Sequence, residues 1–148
     1  MAADSRTNAG VDYVSTFRKL TVFEEPGERV IALATAGNLA TSQAVTSIVS
    51  ERLGARQGED SIYTSKTMFN VAQIIGRTLR QVIDEHGQHV RDSGGDPTAS
   101  FIVGGQIRDR SPRLFLIYAA GNFIEATAET PFLQIGENKY GKPILDRT

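Results

Sequence analysis

No cysteine occurs in the 148 residues, so disulfides, thiolate metal sites and a cysteine nucleophile are excluded. Neither sign of charge dominates. The 16 basic and 17 acidic residues leave a formal net charge of -1 with no basic stripe, which makes nucleic acid and anionic membrane surfaces poor partners. Long apolar runs are also missing: the longest, Val30 to Ala36, is far too short to cross a bilayer. Residues 1–20 carry Asp4, Arg6, Asp12, Arg18 and Lys19 without an apolar centre, which argues against a secretory signal. No internal repeat or low-complexity tract occurs. Gly104-Gly105 is not followed by Gly-x-x-x-x-Gly-Lys-Ser, so a bulge or close packing explains it better than a phosphate loop. The length suits one core and is too short for two ordinary domains, so residues 1–148 are expected to form a single unit. A soluble, cytoplasmic protein is the default expectation.

What is present reads as strands, then helices, then strands. Thr16 to Glu24 is rich in aromatic and β-branched residues, and Glu25-Pro26-Gly27-Glu28 is a turn. Arg29 to Ala36 returns as an almost continuously apolar strand, a pattern that predicts burial on both faces. Gly37-Asn38 breaks it, with Asn38 placed to cap a helix whose stripe is Leu39, Val45, Ile48, Val49 and Leu53 and whose stop is Gly54. A second helix, Ser65 to His86, carries Met68, Val71, Ala72, Ile75, Leu79, Val82 and Ile83 at 3.6-residue spacing. Gly76 in its middle predicts close approach to a neighbouring element. After the Gly94-Gly95-Asp96-Pro97 loop a meander follows: Ala99 to Ile107, Arg113 to Tyr118, Phe123 to Ala126 and Phe132 to Ile135, with Arg108-Asp109-Arg110 as a solvated hairpin tip. Lys139 to Thr148 begins a further helix. Strands segregated from consecutive helices predict a layered α+β domain.

Two positions invite chemistry. Lys19 shares a strand face with Phe17, Thr21 and Phe23, either as an exposed or structurally paired charge or as a buried amine tuned by a carboxylate. Asp4 is the natural carboxylate. Gly37 ends a strand at a helix N-terminus, where free N–H groups can hold an oxyanion, although a plain strand-to-helix turn also explains it. His86 and His89 with Asp84 suggest a metal site only weakly, because no fixed third ligand is evident and histidines near a helix end complement its dipole. Met68, Phe69 and Ile75 read as core.

The segments Asp4-Ser5-Arg6, Lys19-Leu20 and Ala36-Gly37 before a helix resemble the proteasome family of N-terminal-nucleophile hydrolases. So do Phe101-Ile102-Val103-Gly104-Gly105, Leu114-Phe115-Leu116-Ile117, Gly121 and Gln134-Ile135-Gly136. Within that family, Asp4 to Asp12 and Tyr140-Gly141-Lys142-Pro143-Ile144-Leu145-Asp146-Arg147 are similar to the Anbu-type bacterial proteasome homologues. The resemblance implies an αββα four-layer sandwich and peptide-bond hydrolysis by an N-terminal threonine through an acyl-enzyme. It implies that Asp4 orients and charges the lysine, that Lys19 lowers the threonine pKa and helps move its proton, and that the Gly37 N–H stabilises the oxyanion. It makes Asn8 a main-chain partner of extended substrate, Thr35 the wall of a small, polar specificity pocket and Phe17 another lining position. Arg6, Glu137 and Asp146 are supporting positions, with Glu137 near a place where many family members carry a serine. The implied substrate is a peptide or unfolded protein. Self-association into a multi-subunit assembly is implied too, with no cofactor, no metal and no assigned ATPase partner.

The pattern also departs from the family. The family threonine lies one strand and one turn before Asp4, about a dozen residues by ordinary hairpin dimensions, whereas Met1-Ala2-Ala3 precede Asp4 here. Ser5 and Thr7 lack the free α-amine that the mechanism uses as base. The expectation is therefore a partial domain without its first strand, its later helices and strands, and its nucleophile, inactive as written, from a partial gene product or a mis-placed start. Two alternatives stand beside it: a non-catalytic structural or assembly subunit of a proteasome-like oligomer, and an amidohydrolase acting on small amides.

Overall fold

The computed structural model describes residues 19–51 and 60–127, together with 129, 131 and 133. The elements are β1 (Leu20–Glu25), β2 (Arg29–Gly37), α1 (Leu39–Glu51), α2 (Met68–Asp92), β3 (Ala99–Ile107), β4 (Arg113–Ile117) and β5 (Phe123–Glu125). The strands form one antiparallel sheet in the order β1-β2-β3-β4-β5. Sequence neighbours are therefore sheet neighbours, and the two helices are inserted between β2 and β3. The chain is α+β, as expected. The expected strand over 132–135 and helix over 139–148 fall wholly or mainly outside the described residues, as do Leu53 and Gly54.

Strand alternation sorts the core. Phe23 of β1, Ile31 and Leu33 of β2, Phe101 and Val103 of β3, and Phe115 and Ile117 of β4 all point to the helix side. There they meet Val45 and Val49 of α1 and Met68, Val71, Ile75, Leu79 and Val82 of α2, all buried. Arg29 fastens the sheet to the segment between the helices. Its Nη1 donates to the Ile62 and Ser65 carbonyls at 2.8 and 2.7 Å, while its Nε lies 3.9 Å from the Glu25 carboxylate.

The opposite face is differently made. Ala34, Ile102 and Leu116 are buried there, with Leu20, Leu114 and Leu133 against them. Burial of β2 on both faces holds at Ala34 but not along the strand. Val30 is 42% exposed, and Ala32 and Ala36 are half-buried, because α1 and α2 cover one face only. The apolar run in β2 reflects a second hydrophobic face, not uniform burial.

The helix boundaries differ from expectation for local reasons. Helix α2 starts at Met68 because the Thr67 hydroxyl accepts the Asn70 N–H at 3.1 Å, while Ser61 to Ser65 form a separate hydrogen-bonded turn. The helix runs to Asp92, so His86 and His89 lie within it on exposed positions and no loop follows His86. Gly76 does face a close neighbour: a Cβ there would strike the Gly121 carbonyl in the β4–β5 turn. Gly104 and Gly105 sit in an unbroken β3 ladder, so close packing against Leu114 and β2 accounts for them, not a bulge.

Phe69 is not core as expected. It is 44% exposed at the rim, edge-on to Phe115 and Phe123 with ring centroids 6.4 and 5.3 Å away. The hairpin tip at Arg108-Asp109-Arg110 is exposed as read, though Arg108 also pairs with Glu28 at 3.1 Å. Among the described residues, no helix is long and apolar enough to cross a membrane.

Candidate functional site

Lys19, Thr35 and Gly37 come together at one end of the sheet. The Thr35 N–H donates to the Lys19 carbonyl at 2.9 Å, extending the β1–β2 ladder one step past Leu20↔Ala34. Lys19 is half-buried, and Thr35, 6% exposed, points to the helix side opposite Phe101.

In an antiparallel ladder successive residues direct their N–H groups to opposite neighbours. Thr35 bonds toward β1, and Asn38 bonds toward β3 through its N–H to the Thr98 carbonyl at 2.9 Å. Gly37, two residues after Thr35, therefore presents its N–H on the β1 side. That is the edge carrying Lys19.

The other side of Gly37 is closed. Its φ is +106°, a conformation that glycine adopts without strain, and a Cβ would lie 2.7 Å from the Thr98 carbonyl oxygen and 2.8 Å from the Ala99 Cα. The next residue caps α1 as the sequence suggested: Asn38 Oδ1 accepts the Thr41 N–H at 2.9 Å.

A group that sequence reasoning missed holds this turn from behind. Asn38 Nδ2 donates to the Asp96 carbonyl at 3.1 Å, and the Thr41 hydroxyl donates to the Pro97 carbonyl at 2.7 Å. Asp96 Oδ1 accepts the Thr98 N–H at 2.9 Å, and that bond holds the Asp96 carboxyl below its ordinary pKa. The available signal was Asp96-Pro97-Thr98, an aspartate two residues before the amide it binds, which is the pattern of an Asx turn.

A second missed group lies at the rim beside Phe69. Arg113 makes a bidentate pair with Glu125, with contacts of 2.6 and 2.8 Å, and lies 5.0 Å over the Phe115 ring. A depression of about 340 Å³ at the far end of the sheet is lined by Glu24, Arg29, Gln106 and Arg108 among others, well away from Gly37. Among the described residues, no three His, Cys, Asp or Glu side chains cluster as metal ligands. Asp4, Arg6, Asn8, Phe17, Glu137 and Asp146 lie outside the described residues.

Comparison with solved structures places the chain. It superposes on Anbu (ancestral beta-subunit) from Yersinia bercovieri with a TM-score of 0.82 and 49% identity over 99% of its length. The chain is an Anbu homologue. Anbu from Hyphomicrobium sp. strain MC1 matches at 47% identity over 99% of the chain with a TM-score of 0.79. Anbu of a helical assembly from Pseudomonas aeruginosa matches at 46% over 99%, with a TM-score of 0.85. The chain spans 59% of the length of each of these Anbu chains. No family model matches it, and no curated protein does.

Proposed function

We propose that this chain carries the lysine and oxyanion-donor part of a proteasome-type threonine peptidase subunit. The observation behind the reading is the orientation of Gly37: its N–H faces the Lys19 edge while its opposite side is packed against Thr98 and Ala99. A donor fixed this way needs no reorganisation as charge develops, and one such donor is typically worth about 3 kcal/mol in the transition state. Its likeness to ancestral beta-subunits over nearly its full length supports the same assignment.

In this reading the attacking hydroxyl belongs to an N-terminal threonine upstream of Asp4 by one strand and one turn. Oxygen adds to the substrate carbonyl carbon, the oxyanion is held by the Gly37 N–H, and the C–N bond breaks as the amine takes a proton. Water then clears the acyl-enzyme. Lys19, charged and oriented by Asp4, lowers the threonine pKa. Thr35 and Phe17 line the pocket, Asn8 pairs with extended peptide, and Arg6, Glu137 and Asp146 support the site.

The fold proposed is one αββα domain over residues 1–148, partial relative to its family. The apolar second sheet face at Ala34, Ile102 and Leu116 suits a facing sheet. The substrate class is peptide or unfolded protein in the cytoplasm. The helical assembly of the Pseudomonas aeruginosa homologue supports self-association of this chain as well. Exposed Val22, Val30 and Ile124 on that second face favour the alternative of a non-catalytic assembly subunit.

A fluorogenic peptide panel separates the readings. It is run on the chain as written and on the chain extended at both ends by the flanking segments of the Yersinia bercovieri homologue, beginning with threonine. Peptide cleavage by the extended chain supports the peptidase reading. No cleavage in either, with tight binding to a full-length homologue, supports the assembly subunit. Turnover of small amides alone points to an amidohydrolase.

A further inference from the structure

The Asn38–Asp96 contact lies outside every role assigned above. Three bonds cross from the β2–α1 turn to residues 96–98: Asn38 N–H to Thr98 O, Asn38 Nδ2 to Asp96 O, and Thr41 Oγ1 to Pro97 O. All three arrive on the β3 side of the turn, opposite the Gly37 N–H. The 96–98 segment is itself held by Asp96 Oδ1, which accepts the Thr98 N–H at 2.9 Å. Both ends of the Asn38 carboxamide are engaged, the oxygen by Thr41 N–H and the nitrogen by Asp96 O, so neighbours fix its rotamer and its amide orientation.

A backbone donor cannot be aimed by its own side chain, least of all in glycine. The Gly37 N–H lies in the Ala36–Gly37 peptide plane, and the φ and ψ of Gly37 tie that plane to the one that follows. The plane following Gly37 is pinned through the Asn38 N–H, and Asp96 determines where the carbonyl that receives it stands.

Resting on the peptidase reading above, we propose that Asn38 and Asp96 are positioning residues that aim the Gly37 N–H at the developing oxyanion. Neither touches substrate. They act through the Thr98 carbonyl and the Gly37–Asn38 peptide, and their effect falls on the transition state, where the oxyanion exists, rather than on substrate binding.

Asn38→Asp separates this role from simple helix capping. Aspartate caps as well as asparagine does, so the Thr41 bond survives, but it cannot donate to the Asp96 carbonyl. The test measures peptide cleavage by the extended chain and amide hydrogen exchange at Gly37 and Asn38. The variants are Asn38→Asp, Asp96→Ala and Asp96→Asn, the last of which keeps an Oδ1 acceptor for Thr98.

The expected result for Asn38→Asp and Asp96→Ala is a kcat lowered about tenfold or more at nearly constant KM. Exchange of the Asn38 amide should be faster by a similar factor, and Asp96→Asn should recover most of both. Unchanged exchange in Asp96→Ala overturns the inference, as does faster exchange with unchanged kcat. Either result leaves the peptidase reading standing. Absence of cleavage in the extended parent chain removes the peptidase reading and this inference together, so the two failures are told apart by the parent.

Discussion

Gly37 faces Ala99 across the β2–β3 ladder so closely that a methyl group on Gly37 would sit 2.8 Å from the Ala99 Cα and 2.7 Å from the Thr98 carbonyl oxygen. Both obstacles are backbone, and neither can swing aside as a flexible side chain would. Gly37→Ala therefore adds steric overlap to the strain of φ +106°. The expected loss is about 2–4 kcal/mol of stability. Urea denaturation checks it, and a midpoint equal to that of the parent would show that the turn relaxes freely.

Gly76 sets two effects against each other. Alanine is favoured over glycine by about 1 kcal/mol inside a helix. At this position, however, the added methyl meets the carbonyl oxygen of Gly121, and Gly121 itself has φ +91° in a tight turn. Backbone overlap outweighs propensity here, and Gly76→Ala is expected to destabilise by about 1–2 kcal/mol net. The same denaturation experiment decides it; a gain of about 1 kcal/mol, as in an open helix, would contradict the packing described.

The Arg113–Glu125 pair makes stability depend on pH with a definite sign. The Arg113 hydrogen bonds hold the Glu125 carboxyl below its ordinary pKa. A carboxyl lowered by folding contributes fully above its unfolded value, and that contribution is lost as pH falls through the lower folded value. Glu125→Gln removes it at neutral pH. The difference in melting temperature between parent and variant should be present at pH 7 and shrink below about pH 4. A constant difference from pH 7 to pH 3 would show that the pair contributes nothing through ionisation.

The β3 strand was legible in the sequence because Ala99 to Ile107 is apolar and bounded by Pro97 and the Arg108–Arg110 turn. The Asn38 cap was legible because the Asx-before-apolar-helix pattern is local. Burial was harder to read. The β2 run looks doubly buried because its even positions are Val30 and three alanines, yet α1 and α2 lie on the odd face alone. Phe69 looked like core because it neighbours Met68 and aligns with the stripe, but its ring sits at the sheet rim with Phe115 and Phe123. Lys19, Thr35 and Gly37 were singled out from short motifs, and the β1–β2 pairing brings them to one end of the sheet. The supporting loop was not singled out, because Asn38 and Asp96 are 58 residues apart and only the β2–β3 register brings them together.

Cleavage kinetics of the extended chain with Lys19→Ala test the account most directly. If the Lys19–Gly37 end of the sheet is where an N-terminal threonine reacts, removing the amine should lower kcat by at least about 100-fold, while the melting temperature changes little. A variant that folds normally and cleaves peptides at the parental rate would contradict that placement of the chemistry.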